Sequence, residues 1–250
     1  LIHIVIIATN KYFPLGVRFI KNFYKYSDVA PKFHFFSDTN PKDYIQEEID
    51  VVYYHETHTS WQAATNSKFH NILKVQASNK DFVYYFDADT NVDKYFFVEW
   101  FLGDSVGGEH FGNKGFLSGN TGYDRNENSK AYVPEDSELN SVYYFGAFFG
   151  GRADFVKHFC EILIDWQKKD KLISYEPAVN DESYINKFFH YSPPVKVVPY
   201  EDFPFIVSDK GGINETRRVD EKINKLLQDL KLYKDEDINI RNGKVELQIN

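Results

Sequence analysis

The chain has 250 residues, 42% of them hydrophobic and 18% aromatic, which is enough apolar surface to bury a full core within one large domain. A formal net charge of -8 argues against a binder of phosphate backbones, which needs clustered Lys and Arg, though a local basic patch can still hold a small anionic ligand. Cys160 is the only cysteine, so an intrachain disulfide and a cysteine-held zinc are excluded, a reducing compartment is favoured, and the thiol is expected in the core.

Leu1 to Ala8 reads as a buried first strand and is too short to cross a bilayer. No signal peptide or membrane span is visible, and the absence of any Met, including an initiator, points to a trimmed or processed N-terminus. Gly16 to Tyr26 carries Val17, Ile20, Phe23 and Tyr24 at helical spacing, which makes a β-loop-α unit with the first strand. Lys32 to Ser37 and Asp50 to Tyr54 read as short strands, the former followed by a turn at Asp38 to Pro41. Trp61 to Asn79 reads as a helix with Phe69, Ile72, Leu73 and Val75 to Ala77 on its apolar side, leading into a strand that ends at Asp87. The order β-α-β-β-α-β predicts an α/β sheet with ligands at the carboxyl ends of its strands.

Gly107 to Asn128 is rich in Gly, Asn and Ser and reads as a long functional loop. Val142 to Gly151 is a second aromatic strand, ending in paired glycines where backbone can approach a ligand closely. Ala153 to Lys168 is an amphipathic helix that buries Phe155, Phe159, Ile162, Leu163 and Trp166. The acidic cluster Asn180 to Ser183 opens a segment, Tyr184 to Tyr191, that reads as helical, with Asn180 as its N-cap. Val195 to Pro199 is the last core strand. Val219 to Tyr233 then has Val219, Ile223, Leu226, Leu227 and Leu230 at helical spacing, and Ile238 to Ile249 alternates around Asn242-Gly243 as a hairpin does.

The chemistry centres on Val83 to Asp89. On a strand, Asp87 and Asp89 turn the same way and supply the hard oxygen ligands that Mg2+ and Mn2+ prefer. A solvated strand end has the same look, and three chemistries compete for Asp87 to Asp93. An EF-hand calcium loop wants Gly and Glu where this chain has Val92 and Val98, and a helix rather than a strand before it, so it is rejected. A haloacid-dehalogenase-type phosphotransferase would use Asp87 as a phosphate-accepting nucleophile, but its motif usually opens the domain, whereas here βα units precede it. The third is a nucleotide-sugar transferase, whose Asp-x-Asp holds a divalent cation against a diphosphate leaving group. Serine-triad, P-loop and dinucleotide motifs are absent.

Several separate motifs agree with the third chemistry. Ile7-Ala-Thr-Asn-Lys-Tyr12, Trp61-Gln62, Tyr123-Asp-Arg125 with Ala131-Tyr-Val-Pro134, Tyr143-Tyr-Phe-Gly-Ala-Phe-Phe-Gly-Gly151 and Asn180-Asp-Glu-Ser-Tyr-Ile-Asn-Lys187 run in collinear order. Together, from residue 1 to about residue 218, they resemble glycosyltransferase family 6, which includes the blood-group A and B transferases and the α-1,3-galactosyltransferases. The resemblance implies a GT-A fold, one α/β catalytic domain with a mixed central sheet over residues 1–218, and the helix and β-hairpin read at 219–250 extend past it. The resemblance also implies α-1,3 transfer, with retention, of galactose or N-acetylgalactosamine from a UDP-sugar to a glycan acceptor, with Mn2+ or Mg2+ on Asp87 and Asp89 stabilising the leaving group, and glucose stays open because no residue here reads the C4 hydroxyl.

By similarity, Ile7, Ala8, Thr9 and Tyr12 hold the uracil and ribose, while Lys210 and Arg217 or Arg218 close over the diphosphate. Glu182 corresponds to a glutamate on the β face of the donor, acting as nucleophile or as stabiliser of an oxocarbenium-like state. Asp181 positions donor hydroxyls, and His110 contacts the acceptor. Ala147 matches the alanine of the galactose-using blood-group enzyme, which implies UDP-galactose, beside a Phe145 bulkier than its family counterparts. The chain departs from the family at Val179 (a Trp there), Asn180 (a His) and Lys68 (an Arg), which affects acceptor recognition and donor positioning. Among family members it resembles the soluble bacterial or phage type, implying a cytoplasmic location in a bacterial or phage-infected cell. From another class, a carbohydrate-binding relic would use Trp61, Tyr143 and Tyr144 as stacking platforms, but Asp87, Asp89 and Glu182 argue against a site with no leaving group to hold.

Overall fold

The computed structural model describes residues 1–92, 94–110, 122–135 and 142–199, and the backbone of 240–241 and 244–245. The chain divides into two compact units, Leu1–Asp209 and Lys210–Asn250. In the first, seven strands form one mixed sheet: β1 (Ile2–Ile7), β2 (Lys32–Ser37), β3 (Val51–His55), β4 (Phe82–Phe86), β5 (Ser105–Glu109), β6 (Tyr144–Arg152) and β7 (Lys196–Val198). Their order is β3-β2-β1-β4-β6-β5-β7. The first four in that order run parallel, β6 runs antiparallel to both β4 and β5, and β7 is parallel to β5.

Side-chain alternation along the strands builds a layer on each face. Ile4 and Ile6 of β1, Phe33 and Phe35 of β2, and Tyr84 and Phe86 of β4 pack against Val17, Phe19, Ile20 and Phe23 of α1 (Phe13–Tyr26). Val5, Ile7, Phe36, Val83 and Tyr85 point the other way, and parallel strands need crossovers that bring helices to cover them. There they meet Phe69 and Ile72 of α2 (Trp61–Ile72), Phe159, Cys160 and Leu163 of α3 (Ala153–Leu172), and Ile185 and Phe189 of α4 (Asn180–Tyr191). Cys160 is a buried free thiol.

Several boundaries differ from the sequence reading for local reasons. α1 begins at Phe13 rather than Gly16, because Pro14 is tolerated in a first turn, where its missing N–H has no partner to lose. α2 stops at Ile72 rather than Asn79, its end tightening through Lys74 N–H to Asn71 O and Val75 N–H to Ile72 O. α4 starts at Asn180, a turn earlier than Tyr184, and Asn180 is not its N-cap: Val179 is, without a side-chain cap bond, and Asn180 takes φ 44. Part of the expected loop is strand, since Gly107 and Gly108 belong to β5. Glycine is required at 108, where a Cβ would lie 2.5 Å from the Phe145 ring. The expected helix at 219–233 lies outside the described residues. In the second unit, β8 (Ile240–Arg241) and β9 (Lys244–Val245) pair antiparallel, Ile240 opposite Val245, on either side of Asn242-Gly243.

One irregularity shapes the site. Gly107 faces Phe149 but Glu109 faces Tyr144, so β6 carries extra residues against β5. Such a bulge bends its strand and re-aims side chains. Here it falls on Phe145 to Phe148, where β4 is also ending.

Candidate active site

At the carboxyl ends of the strands lies a cleft of about 380 Å³. Its walls come from Ile7 and Thr9 to Tyr12 after β1, from His58 to Trp61 with Ala64, Thr65 and Lys68 of α2, and from Tyr85 and Asp87 to Asp89 around the end of β4. His110 after β5, Phe145 to Ala147 of β6, and Val179, Asp181 and Glu182 at the start of α4 complete it.

Residues separated by more than 170 positions thus share one cavity, and they include Ile7, Thr9, Tyr12, Lys68, Asp87, Asp89, His110, Phe145, Ala147, Asp181 and Glu182 from the sequence analysis. Ala8 is an exception. Its methyl is fully buried on the α1 face, its N–H donates to Phe36 O at 2.8 Å, and its carbonyl accepts from Ser37 Oγ at 2.7 Å. Lys210, Arg217 and Arg218 lie outside the described residues.

Asp87 and Asp89 reach the cleft from a turn rather than from strand alternation, since β4 ends at Phe86 and Thr90 N–H closes on Asp87 O at 3.1 Å. The Tyr85 hydroxyl donates to Asp87 Oδ1 at 2.7 Å. Burial, and next the charge of Asp87, pushes the Asp89 carboxyl up to about 6. Two oxygen-donor side chains that repel each other make a fit for a hard dication. Mg2+ and Mn2+ are commonly held by one or two protein carboxylates, with phosphate and water completing their shells.

Lys68, which stands where the family has an Arg, is only 3% exposed in the fold. Its Nζ donates to Asp181 Oδ2 at 2.5 Å and to Gly146 O at 2.8 Å, lies 3.5 Å from Asp87 Oδ1, and sits 4.4 Å from the Tyr85 ring centre. Burial pulls the ammonium pKa down, but Asp181 and Asp87 more than reverse this, so the lysine keeps its proton and Asp181 is its acceptor.

Glu182 is held by the Gly146 N–H, which donates to its Oε2 at 2.6 Å. Burial pushes this carboxyl up to about 7, against the opposing pull of the Gly146 N–H and the Tyr143 hydroxyl. A carboxyl poised near neutral pH in a cleft is a candidate functional group. A side chain at Gly146 would crowd it, with a Cβ 3.2 Å from Asp181 Oδ2 and 3.3 Å from Glu182 Cβ. His110 packs edge-on to Tyr143 and Phe145, and burial brings its pKa down to about 4, which leaves a neutral imidazole at the cleft.

The segment His58 to Ser60 and the pair Asn10 and Lys11 line the cleft without having been singled out as binding residues. A signal for the former existed: Ser60 caps α2, its Oγ accepting from Ala63 N at 3.1 Å, so the residues before it had to sit at the strand ends. Asn10, with φ 55, donates from Nδ2 to His58 O at 3.2 Å and ties the two segments together. Trp61 stands 60% exposed at this rim.

A family model, glycosyltransferase family 6, matches residues 3–205. The chain belongs to glycosyltransferase family 6. Its seven-stranded mixed sheet with helices on both faces is the GT-A fold of that family. The chain is similar to the O-antigen biosynthesis glycosyltransferase WbnI of Escherichia coli, 25% identical over 230 residues that cover 87% of this chain and 92% of that protein. It is similar to the globoside alpha-1,3-N-acetylgalactosaminyltransferase 1 of Gallus gallus, 28% identical over 211 residues, 78% of this chain and 59% of the relative. Against the histo-blood group ABO system transferase 2 of Rattus norvegicus it is 37% identical over 79 residues, 32% of this chain and 23% of the relative. It therefore spans nearly all of the bacterial relative and less than two thirds of these animal ones. Family 6 membership supports a hexosyltransferase with a sugar donor and an acceptor over a phosphotransferase that uses Asp87. Among the described residues no helix is long and apolar enough to cross a membrane.

Proposed function

We propose that the chain is a metal-dependent, retaining transferase that moves galactose from UDP-galactose to a glycan acceptor in α-1,3 linkage. The observation that carries this reading is the meeting in one cleft of the Asp87/Asp89 pair, the nucleotide-side residues Ile7, Thr9 and Tyr12, and Glu182. The α-1,3 linkage in the name of the Gallus gallus relative supports the regiochemistry.

In this reading Asp87 and Asp89 hold Mn2+ or Mg2+, which supplies Lewis-acid stabilisation to the departing diphosphate. Ile7, Thr9 and Tyr12 seat the uridine. As the bond from the sugar C1 to the diphosphate oxygen breaks, its electron pair leaves with UDP and positive charge grows at the anomeric carbon. Ionised Glu182 faces that charge, its carboxylate already aimed by the Gly146 N–H. Asp181, which accepts from Lys68 on Oδ2, lines the cleft and positions a donor hydroxyl. Neutral His110 offers the acceptor a hydrogen-bonding partner without adding charge. Although the Gallus gallus relative is named for N-acetylgalactosamine, Ala147 lines the cleft and matches the alanine of the galactose-using blood-group enzyme, and a methyl facing the donor's C2 substituent favours a hydroxyl over an acetamido group.

The test is release of UDP from UDP-galactose with Mn2+ and then with EDTA. Turnover should need the metal, and Asp87→Asn or Asp89→Asn should remove most of it, since a neutral amide is a poor ligand for a hard cation. Full turnover of either variant in EDTA would overturn the reading.

A further inference from the structure

β4 pairs with β6 only as far as Phe86 opposite Phe148, with one more bond from Asp87 N–H to Ala147 O at 2.9 Å. The chain then turns away through Asp87 to Asp89, and the same edge of β6 continues past it to Gly146 and Tyr144. Backbone groups on a buried edge still need partners. Side chains supply them here.

Asn186 of α4, only 1% exposed, accepts the Tyr144 N–H on Oδ1 at 2.7 Å and donates from Nδ2 to the Tyr144 carbonyl at 2.6 Å. Its amide thus reproduces both bonds that a neighbouring strand would make. The second hydrogen of Nδ2 goes to the Glu182 carbonyl, one helical turn back, at 2.9 Å. At Gly146 the N–H donates to the Glu182 carboxylate and the carbonyl accepts from Lys68. Glu182 is therefore tied to one strand edge twice, by its carboxylate at Gly146 and by its backbone through Asn186 at Tyr144.

We propose that Asn186 is a positioning residue for Glu182, fixing where α4 stands along β6 and so where the Glu182 carboxylate stands against the donor. This rests on the reading of Glu182 as the group that acts at the sugar. Asn186 is not among the residues that line the cleft, so its effect on turnover runs through Glu182. The place calls for one acceptor and two donors at fixed reach. An ionised Asp has no donor, a Ser has one, and a Gln adds a methylene that would push the helix away.

A double-mutant cycle tests it, using UDP release in the presence of Mn2+ from UDP-galactose, or from UDP-N-acetylgalactosamine if the wild type turns that over faster. Asn186→Asp keeps the shape and the acceptor but loses the donors. It should lower kcat about a hundredfold, the scale of a small misplacement of a reacting group. UDP affinity by calorimetry should stay within about twofold, as for a group that acts only at the reacting centre. In a Glu182→Gln background the same change should cost less than about threefold, because residues that act as a unit are not additive. Thermal unfolding monitors the fold, and Asn186→Ser is measured in the same way if Asn186→Asp does not fold. Equal losses in both backgrounds, an unchanged kcat, or a loss confined to UDP affinity would overturn the proposal. Full activity of Glu182→Gln alone would instead overturn the reading of Glu182, an outcome told apart by that single variant.

Discussion

Lys68 donates from α2 to Asp181 on α4 at 2.5 Å, joining residues 113 positions apart in the wall of the cleft. A buried cation is tolerable only when paired, and this one also satisfies the Gly146 carbonyl.

Removing it should therefore be costly. Lys68→Met strands the Asp181 carboxylate and should lower stability by about 3–5 kcal/mol in urea unfolding. Adding Asp181→Asn should recover part of that loss, since the two residues form one unit. Additive losses in the double variant would show that the pair does not act as described.

A second prediction concerns pH. The carboxyls of Asp89, at about 6, and Glu182, at about 7, both sit above the ordinary carboxylate range, chiefly through burial. The stability that goes with their protonated forms is complete below the unfolded range and is lost as pH rises through the folded values. In EDTA this contribution, read as the Tm of the wild type minus that of an Asp89→Asn, Glu182→Gln double variant so that the buried histidines cancel, should thus fall from about pH 5 to about pH 7.5. Mn2+ should raise Tm more at the higher pH, where protons no longer compete for Asp89, and should do little for Asp89→Asn. A metal-induced shift that is larger at the lower pH would contradict the assignment of this pair.

Much of this arrangement was legible in the sequence because it depends on local pattern. Ile4 to Ile7 and Val83 to Phe86 alternate between two apolar faces, and the spacing of Val17, Ile20 and Phe23 gives α1 its buried side. β5 was hidden because Gly107 and Gly108 carry no pattern, and the reason for them, the rings of Tyr144 and Phe145, lies on another strand. The acidic opening of α4 was legible, but its cap was not, because Asn, a common N-cap residue, here takes a left-handed φ as the first residue of the helix and leaves the cap position to Val179. The roles of Lys68 and Asn186 depend on partners far away in the chain, which no spacing rule reaches.

Donor choice is the third prediction. Ala147 lines the cleft and is 8% exposed, and its N-terminal neighbour is fixed to Glu182 and Lys68, so the methyl has little freedom to yield. Crowding an acetamido group against it should cost about 1–3 kcal/mol, roughly tenfold or more in discrimination. Ala147→Gly should gain on UDP-N-acetylgalactosamine relative to UDP-galactose when kcat/KM is compared. A wild type that already prefers the acetamido sugar would overturn the steric argument.

The most direct measurement is the turnover of Glu182→Gln on UDP-galactose with Mn2+, set beside its affinity for UDP. Glu182 lies in the same cleft as the Asp87/Asp89 pair but is anchored to Gly146, so it should serve the sugar and not the nucleotide. Its kcat should fall by orders of magnitude while UDP affinity stays close to that of the wild type, as expected for a group that interacts only as the glycosidic bond breaks. A variant that keeps its kcat, or that loses mainly UDP affinity, would contradict the role assigned to Glu182.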